Sequence, residues 1–274
     1  MNKELDHAGG GDAPAVITRP ESGIAVITLN RPHQRNALSL GMMSALQVAI
    51  EVLSGDADVC AIVIAANGPA FSAGHDLKEL TAHRSDQDGG HDFFHLTMDR
   101  CAKLMQSIVK CAKPVIAAVE GTATAAGCQL VATCDLAVGA DSAKFCTPGV
   151  NIGLFCSTPM VALSRNVGRK RAMEMLLLGE LIDAKTAADW GLLNRAVPKD
   201  KVMDEALGFA RRIVAKSPAT VAIGKEAFYH QAEQGLEKAY DYAVSVMVRN
   251  MLYRDAEEGI SAFLEKRNPK WQGC

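Results

Sequence analysis

The chain has 274 residues, of which 49% are hydrophobic and 22% charged, and its net charge is −2. These proportions are typical of a globular protein and exclude a disordered, collagen-like or coiled-coil chain. Because the small net charge provides no broad basic field, we expect no nucleic-acid partner, and an anionic ligand must meet a local cluster of bases. No apolar run reaches the roughly 18 residues of a membrane span, and the first residues lack an apolar signal core. We therefore expect a cytoplasmic protein without a membrane partner.

Strands and helices alternate along the first two thirds of the chain. Residues 1–13 are expected to form a disordered tail, and the β-runs at 15–18 and 24–29 predict a hairpin. Apolar patterns then predict strands at 59–66, 115–119 and 136–138, and helices from Ser39 to about 53, from 92 to 110 and from 126 to 133. This order predicts a mostly parallel, layered α/β core domain at 14–200. Helical patterns dominate after Pro159, and we assign 201–274 to a C-terminal helical region.

The eight cysteines and the histidines give little sign of a metal or disulfide framework. No two cysteines form a CxxC pair, and most lie in apolar segments, where a thiol behaves as a small hydrophobe. His91 and His95 are spaced i, i+4 on one predicted helix, but no third ligand is apparent. We therefore expect no metal site.

Two loops, at 71–77 and 121–129, follow predicted strands and precede predicted helices. In parallel sheets such loops lie at the carboxyl ends of the strands, where ligands bind. Both contain small residues that allow close backbone approach, and both lead into helices whose first N–H groups lack intrahelical partners. Either loop alone is explained by turn formation, but together they predict two N–H donors that hold a developing oxyanion.

Several motifs in these and other segments resemble one known family. They are LNRP at 29–32, RNAL at 35–38, FSAGHDLKEL at 71–80, AGCQL at 126–130, WGL at 190–192 and AFLEKR at 262–267. From Ile27 to Trp271 the chain is similar to the crotonase, or enoyl-CoA hydratase/isomerase, superfamily. The tract GLFCSTP at 153–159 most resembles its branch of enoyl-CoA hydratase domain-containing proteins.

The resemblance implies a ClpP/crotonase-like fold of repeated ββα units, a C-terminal trimerisation region at 201–274, and a homotrimer or homohexamer. It implies that the backbone N–H groups of His75 and Ala126 bind the oxygen of an acyl-CoA or enoyl-CoA thioester and stabilise an enolate. Coenzyme A enters as part of the substrate, and no prosthetic group is implied. The residues that match coenzyme contacts are His33, Gln34, Arg35, Ala73, Asp76 and Leu77, with Phe263 and Lys266 supplied by a neighbouring subunit.

The two glutamates that hydratases of this family use for proton transfer are absent. Gln129 stands at the first position, and its amide cannot exchange a proton at neutral pH. Gly149 stands at the second and has no side chain. We therefore expect weak or absent hydratase activity, with the His75 side chain, Cys156 or Ser157 as candidate proton-transfer groups. Two alternatives remain open at this stage: an acyl-CoA thioester hydrolase and a non-catalytic acyl-CoA-binding oligomer.

Overall fold

A six-stranded sheet forms the centre of the computed structural model, which describes residues 13–273. Its strand order is β1-β2-β3-β5-β7-β10, and all pairs are parallel except the β1–β2 hairpin. Most of the predicted tail, residues 1–12, lies outside the described residues. The strands of this sheet are β1 (Ala15–Glu21), β2 (Gly23–Leu29), β3 (Val59–Ala66), β5 (Val115–Val119), β7 (Leu136–Ala140) and β10 (Arg195–Val197).

A second, smaller sheet has the order β4-β6-β8-β9, and its first three strands are parallel. These strands are β4 (Ala70–Ser72), β6 (Thr122–Thr124), β8 (Lys144–Cys146) and β9 (Ile182–Asp183). The pairs β3–β4, β5–β6 and β7–β8 each place their first strand in the large sheet and their second in the small one. The predicted fold class, a crotonase-like α/β fold of ββα repeats, is confirmed.

Eleven α-helices are present among residues 13–273. Helix α1 begins where predicted, because the Ser39 hydroxyl accepts a hydrogen bond from the Met42 N–H and caps the first turn. Strand β3 is buried at nearly every position, as its continuous apolar sequence predicts. The helices are α1 (Leu40–Gly55), α2 (Leu77–Ala82), α3 (His91–Lys110), α4 (Ala126–Thr133), α5 (Pro159–Asn166), α6 (Arg169–Leu178), α7 (Ala184–Asp189), α8 (Val202–Val214), α9 (Pro218–Ala232), α10 (Leu236–Met251) and α11 (Arg254–Leu264).

The C-terminal helices differ in how they join the core. Helix α8 packs against β3, β5 and β7 and buries Val202, Ala206 and Ala210. Helix α10 packs mainly on α9 and contains no buried residue. The boundary at residue 200 remains a prediction, and α8, which follows it, still belongs to the packing of the sheet. Among the described helices, none is both long and apolar enough to cross a membrane.

Candidate active site

Three loops meet at one edge of the small sheet. They follow β4, β6 and β8, which are parallel neighbours, so their carboxyl ends lie side by side. The loops carry His75, Ala126 and Gly149 in turn. The ββα repeat therefore brings together three segments that are far apart in the sequence.

The loops after β4 and β6 are in direct main-chain contact because two glycines leave room for it. A Cβ atom at Gly74, whose φ is +86°, would lie 3.1 Å from the Ala126 nitrogen. A Cβ at Gly127 would lie 2.3 Å from the Ser72 carbonyl oxygen. Neither the His75 nor the Ala126 amide donates a hydrogen bond to another of the described residues. Two unpaired backbone donors thus lie on adjoining segments, an arrangement suited to binding an oxyanion.

Ala125 forms the sharp turn between β6 and α4. Its φ is 50° and its ψ −120°, a conformation that costs a residue with a Cβ about 1–3 kcal/mol. The Ala125 N–H donates to the Cys146 carbonyl oxygen at 2.9 Å, which fixes the turn to the end of β8. The turn leaves Ala126 as the first residue of the helix, where its N–H group has no intrahelical partner.

Asn36 joins the loop of the predicted coenzyme contacts to the rest of the site, a role that the sequence analysis missed. It is fully buried in the left-handed region (φ 50°), and its amide donates to the carbonyl oxygens of Asn67 and Ala70. The Asn36 carbonyl oxygen accepts from the Ser72 hydroxyl at 2.8 Å. Asparagine tolerates positive φ better than most residues, so its position between the β-run at 24–29 and the helix that begins at Ser39 was the available signal.

Most residues predicted to contact coenzyme A lie on the surface around this junction. His33, Gln34 and Arg35 are exposed, and the Arg35 carbonyl oxygen accepts from the Ala73 N–H at 3.0 Å. Ala73 and Leu77 are exposed as well. The bond between Ala73 and Arg35 ties the two groups of exposed residues together, and their role in binding stays a prediction.

Three further residues that were predicted to contact coenzyme A either have another role or lie in another part of the chain. The Asp76 carboxylate caps α2 by accepting from the Lys78 and Glu79 N–H groups, which is a structural role. Phe263 is 82% exposed in α11, and Lys266 follows that helix with a φ of 56°. Their predicted contribution to a neighbouring subunit remains a prediction.

Gln129 lies on the first turn of α4, three residues after Ala126, and its side chain is buried. The Cys101 thiol lies 3.7 Å from the Gln129 Oε1 and donates to it. Burial raises the pKa of Cys101 to about 12, so this thiol stays protonated at neutral pH. The pair supplies no acid or base that titrates near pH 7.

The loop at 154–156 folds over Gly149 and leaves no room for a side chain there. The Leu154 N–H donates to the Gly149 carbonyl oxygen at 2.9 Å, and the Gly149 N–H donates to the Cys156 Sγ at 3.3 Å. A Cβ at Gly149 would lie 2.9 Å from both the Cys156 Sγ and the Leu154 carbonyl oxygen. A glutamate at position 149 would therefore displace the 154–156 loop, so restoring this acid by substitution alone is sterically blocked.

The His75 imidazole is largely buried, and its Nε2 has no hydrogen-bond partner among residues 13–273. Burial lowers the pKa of His75 from 6.5 to about 4. The ring is therefore neutral at pH 7 and does not hold an imidazolium proton to donate.

Ser157 is exposed, and its hydroxyl donates at 3.4 Å to the Phe155 carbonyl oxygen. Of the three candidate proton-transfer groups, Cys156 has the most closely defined surroundings.

The described cysteines are all free. One group of potential metal ligands is present in the part of the chain that the structure describes: Asp88, His91 and Asp92 place ligand atoms within 4.8 Å of one another. All three are exposed, and His95, the partner suggested by the i, i+4 spacing, is not in the group. Exposed acidic groups of this kind are common, so the expectation of no metal site is unchanged.

Comparison with known proteins assigns the family. The profile of the enoyl-CoA hydratase/isomerase family matches residues 19–274, and the chain belongs to that family. The human enoyl-CoA hydratase domain-containing protein 3, mitochondrial, is 47% identical over 270 residues, covering 97% of this chain and 88% of the relative. A probable enoyl-CoA hydratase of Rhizobium meliloti is 31% identical over 258 residues, covering 94% and 97%.

Solved structures agree with this assignment. The crystal structure of an enoyl-CoA hydratase of Mycobacterium smegmatis matches with a TM-score of 0.91 at 49% identity, covering 95% of this chain and 99% of that one. That of human enoyl-CoA hydratase domain-containing protein 3 matches with a TM-score of 0.89 at 47% identity, covering 94% and 100%. The resemblance to the domain-containing branch is confirmed.

The expectation of a cytoplasmic protein is contradicted. Enoyl-CoA hydratase domain-containing protein 3 of rat, human, frog, mouse and zebrafish, 45–47% identical to this chain, is described as mitochondrial. The expectation rested on the missing apolar signal core, which marks secretion. Mitochondrial leaders are amphipathic and have no such core, so that criterion does not separate the two compartments.

Proposed function

We propose that this chain binds acyl-CoA or enoyl-CoA thioesters and stabilises the thioester enolate between the backbone N–H groups of His75 and Ala126. The observation that supports the proposal is the close approach of the two loops at Gly74, where a Cβ would lie 3.1 Å from the Ala126 nitrogen, so that two unpaired donors lie on adjoining segments. Preorganised donors of this kind contribute about 10²- to 10³-fold in rate each. The chain would act in fatty-acid or other acyl-CoA metabolism.

Hydration is expected to be weak or absent. Addition of water across an α,β double bond needs a base and an acid, each of which contributes about 10²- to 10⁴-fold. Gln129 accepts from a protonated thiol, and the loop over Gly149 leaves no room for a side chain. The surviving function is therefore binding and polarisation of the thioester, with proton transfer left to another group.

Apolar side chains support an acyl substrate. Ile152, Leu154 and Phe155 are exposed although they are hydrophobic, and they flank the buried Cys156. Side chains of this kind beside a polar site suit the hydrocarbon part of a ligand. We place the acyl chain along this segment and the coenzyme along residues 33–35 and 73–77.

A panel of ligands tests the function. We expect acyl-CoA and enoyl-CoA esters to bind in isothermal titration calorimetry and the free carboxylic acids not to bind, because the predicted contacts face the coenzyme. Loss of the enone absorbance reports hydration, and release of free thiol reports hydrolysis. Equal affinity for esters and free acids contradicts the proposal. Rapid thiol release favours the hydrolase, and tight binding without any turnover or α-proton exchange favours the non-catalytic oligomer.

The variant Ala126→Pro removes one proposed donor. Position 126 is the first of α4, where the missing N–H of a proline leaves no helical bond unmade. Because a proline also restricts the preceding residue, here Ala125 with a φ of 50°, circular dichroism must first show that the variant folds. We expect the variant to bind free CoA as the parent does but to lose thioester turnover by about 10²-fold or more. Arg169→Pro, at the first position of α6, is the matched control and should leave turnover unchanged. A folded Ala126→Pro chain with parental turnover contradicts the proposed oxyanion site.

We also propose that the chain assembles as a homotrimer or homohexamer. Helix α10 exposes a stripe of large apolar residues at helical spacing, and it has no buried residue that would explain its amphipathic sequence. A cavity of about 1190 Å³, open to solvent, lies between α9, α10 and the end of α3. A second copy packed on these helices would bury the stripe. The exposed stripe on α10 consists of Leu236, Tyr240, Val244, Met247, Val248 and Met251.

A further inference from the structure

The Cys156 thiol borders the space in which a side chain at position 149 would begin. The Cys156 Sγ lies 2.9 Å from the place of a Gly149 Cβ, and Cys156 is only 7% exposed. Loop 154–156 is held over Gly149 by two hydrogen bonds, one through each backbone group of the glycine. These two hydrogen bonds therefore hold the thiol in one position beside Gly149.

The Cys156 sulfur has a donor that would stabilise its ionised form. The Gly149 N–H points at Sγ with a nitrogen–sulfur distance of 3.3 Å. Hydrogen bonding to the charged form of a group favours that form, whereas burial disfavours it. Burial is the larger effect and raises the pKa of Cys156, while the Gly149 N–H opposes the shift. At neutral pH Cys156 is therefore a thiol, and the Gly149 N–H is in place to donate a hydrogen bond to the thiolate when the proton is lost.

Hydrogen bonds connect Cys156 to the loops of the proposed oxyanion donors. The thiol is bound to Gly149, on the loop after β8, and the Cys146 carbonyl oxygen at the end of β8 accepts from the N–H of Ala125, the residue before Ala126, at 2.9 Å. Two buried polar atoms on the same loops have no partner among the described residues: the His75 Nε2 and the hydroxyl of the fully buried Thr147. Buried polar atoms are nearly always paired with protein groups, ordered water or ligand, so these two atoms are available to a polar group that enters between the loops.

We propose that Cys156 is the catalytic proton-transfer residue that replaces the absent second glutamate. The inference rests on the proposed binding of a CoA thioester. In the forward step the enolate α-carbon takes the proton from Sγ: the S–H bond breaks, a C–H bond forms, and the electron pair of the enolate returns the thioester carbonyl. The thiolate accepts from the Gly149 N–H and regains a proton from water, which leaves hydroxide in the solvent. In the reverse step the thiol first gives its proton to solvent water. The resulting thiolate removes the α-proton and re-forms the S–H bond, and the electron pair of the broken C–H bond forms the enolate, whose oxygen the His75 and Ala126 N–H groups hold.

Exchange of the α-protons of butyryl-CoA in D₂O, followed by mass spectrometry, tests the proposal without requiring hydration. We expect the parent to catalyse exchange and Cys156→Ala to slow it by about 10²-fold or more, with butyryl-CoA affinity within threefold of the parent. Cys134→Ala removes an equally buried thiol at the far end of α4, where it donates to the Leu130 carbonyl oxygen, and should exchange as the parent does. Cys156→Ser keeps the size of the side chain and guards against collapse of the loop; it should also lose exchange.

The outcomes separate the two proposals. Exchange at the parental rate in a folded Cys156→Ala or Cys156→Ser chain overturns the role of Cys156 and leaves the oxyanion site intact. A parent that binds butyryl-CoA but catalyses no exchange also overturns it. If the parent fails to bind CoA thioesters at all, the proposed function fails and the inference fails with it, as the binding measurement alone reveals.

Discussion

His75 illustrates how one residue can contribute its backbone to function and its side chain to pH dependence. Its N–H is a proposed oxyanion donor, whereas its ring is buried with an unpaired Nε2. The folded pKa of about 4 lies below the ordinary value of 6.5, so the unfolded chain binds the additional proton first as the pH falls. Stability is therefore fully present above pH 6.5 and is lost through the window from about 6.5 to 4.

The corresponding prediction concerns the free energy of unfolding. Between pH 7 and pH 5 we expect a loss of about 2 kcal/mol from His75, measured by urea denaturation. His75→Gln should remove most of this pH dependence, because glutamine does not titrate. His95→Gln, which changes an exposed histidine, should retain it. Equal pH dependence in the parent and in His75→Gln would show that the ring is solvated in the folded chain.

At the scale of elements, a partly buried ion pair holds α9 to the core. The Lys225 Nζ lies 2.6 Å from an Asp135 carboxylate oxygen and also donates to the carbonyl oxygens of Ile108 and Lys113. The Tyr229 hydroxyl donates to the other Asp135 oxygen at 2.9 Å. Burial and the nearby carboxylate both raise the pKa of Tyr229. Helix α9 thus depends on polar contacts as well as on its few apolar ones.

Removing one member of this pair should be costly. We expect Lys225→Met to lower the free energy of unfolding by about 3 kcal/mol, the low end for a buried pair. The partly buried Asp135 carboxylate loses its cation but keeps the Val115 N–H and the Tyr229 hydroxyl as donors. Lys185→Met, which breaks an exposed pair with Asp189, should have little effect. Adding Asp135→Asn to Lys225→Met should restore part of the loss. An unchanged urea midpoint for Lys225→Met would mean that water reaches Asp135 in the folded chain.

The elements also show which parts of the fold can be predicted from the sequence. Strand β3 and helices α1 and α4 lie within two residues of the predicted ranges, because apolar periodicity and the Ser39 cap mark them locally. The strands of the small sheet were not predicted. Each has two or three residues, and β6 has the sequence TAT inside what looks like a loop. Such strands exist because of their neighbours in space, which the local pattern does not record.

Within the candidate site, too, some features can be predicted from the sequence and others depend on contacts between distant segments. The absence of an acid at Gly149 is evident from the sequence through the family resemblance. The reason for the glycine is the contact with Leu154 and Cys156, two loop residues with no periodic pattern to place them. The juxtaposition of the His75 and Ala126 loops was predicted because both follow strands of a parallel sheet. Their attachment to Asn36 was not, since it depends on side-chain hydrogen bonds across more than 30 residues.

At the scale of the whole molecule, the exposed stripe on α10 predicts assembly. Light scattering after size-exclusion chromatography at micromolar concentration should give the mass of a trimer or hexamer for the parent. The double variant Val244→Lys/Met247→Lys places two charges in the stripe and should shift the chain to a smaller species, because a buried unpaired charge is unfavourable. Ile17→Lys, on the edge strand β1, is the control and should keep the parental mass. A monomeric parent would contradict the assembly.

Gly74 and Gly127 allow the loops of the two proposed donors to approach each other closely. Neither glycine is among the proposed proton-transfer residues. The approach of the two loops and the identity of the proton-transfer groups therefore depend on different positions of this chain. Gln129 and Gly149 stand where the resemblance implies glutamates, and the close approach at Gly74 and Gly127 is present nevertheless. A methyl group added at position 127, in contrast, would push α4 away from Ser72. We expect this shift to separate the proposed His75 and Ala126 donors and to abolish every reaction that depends on both.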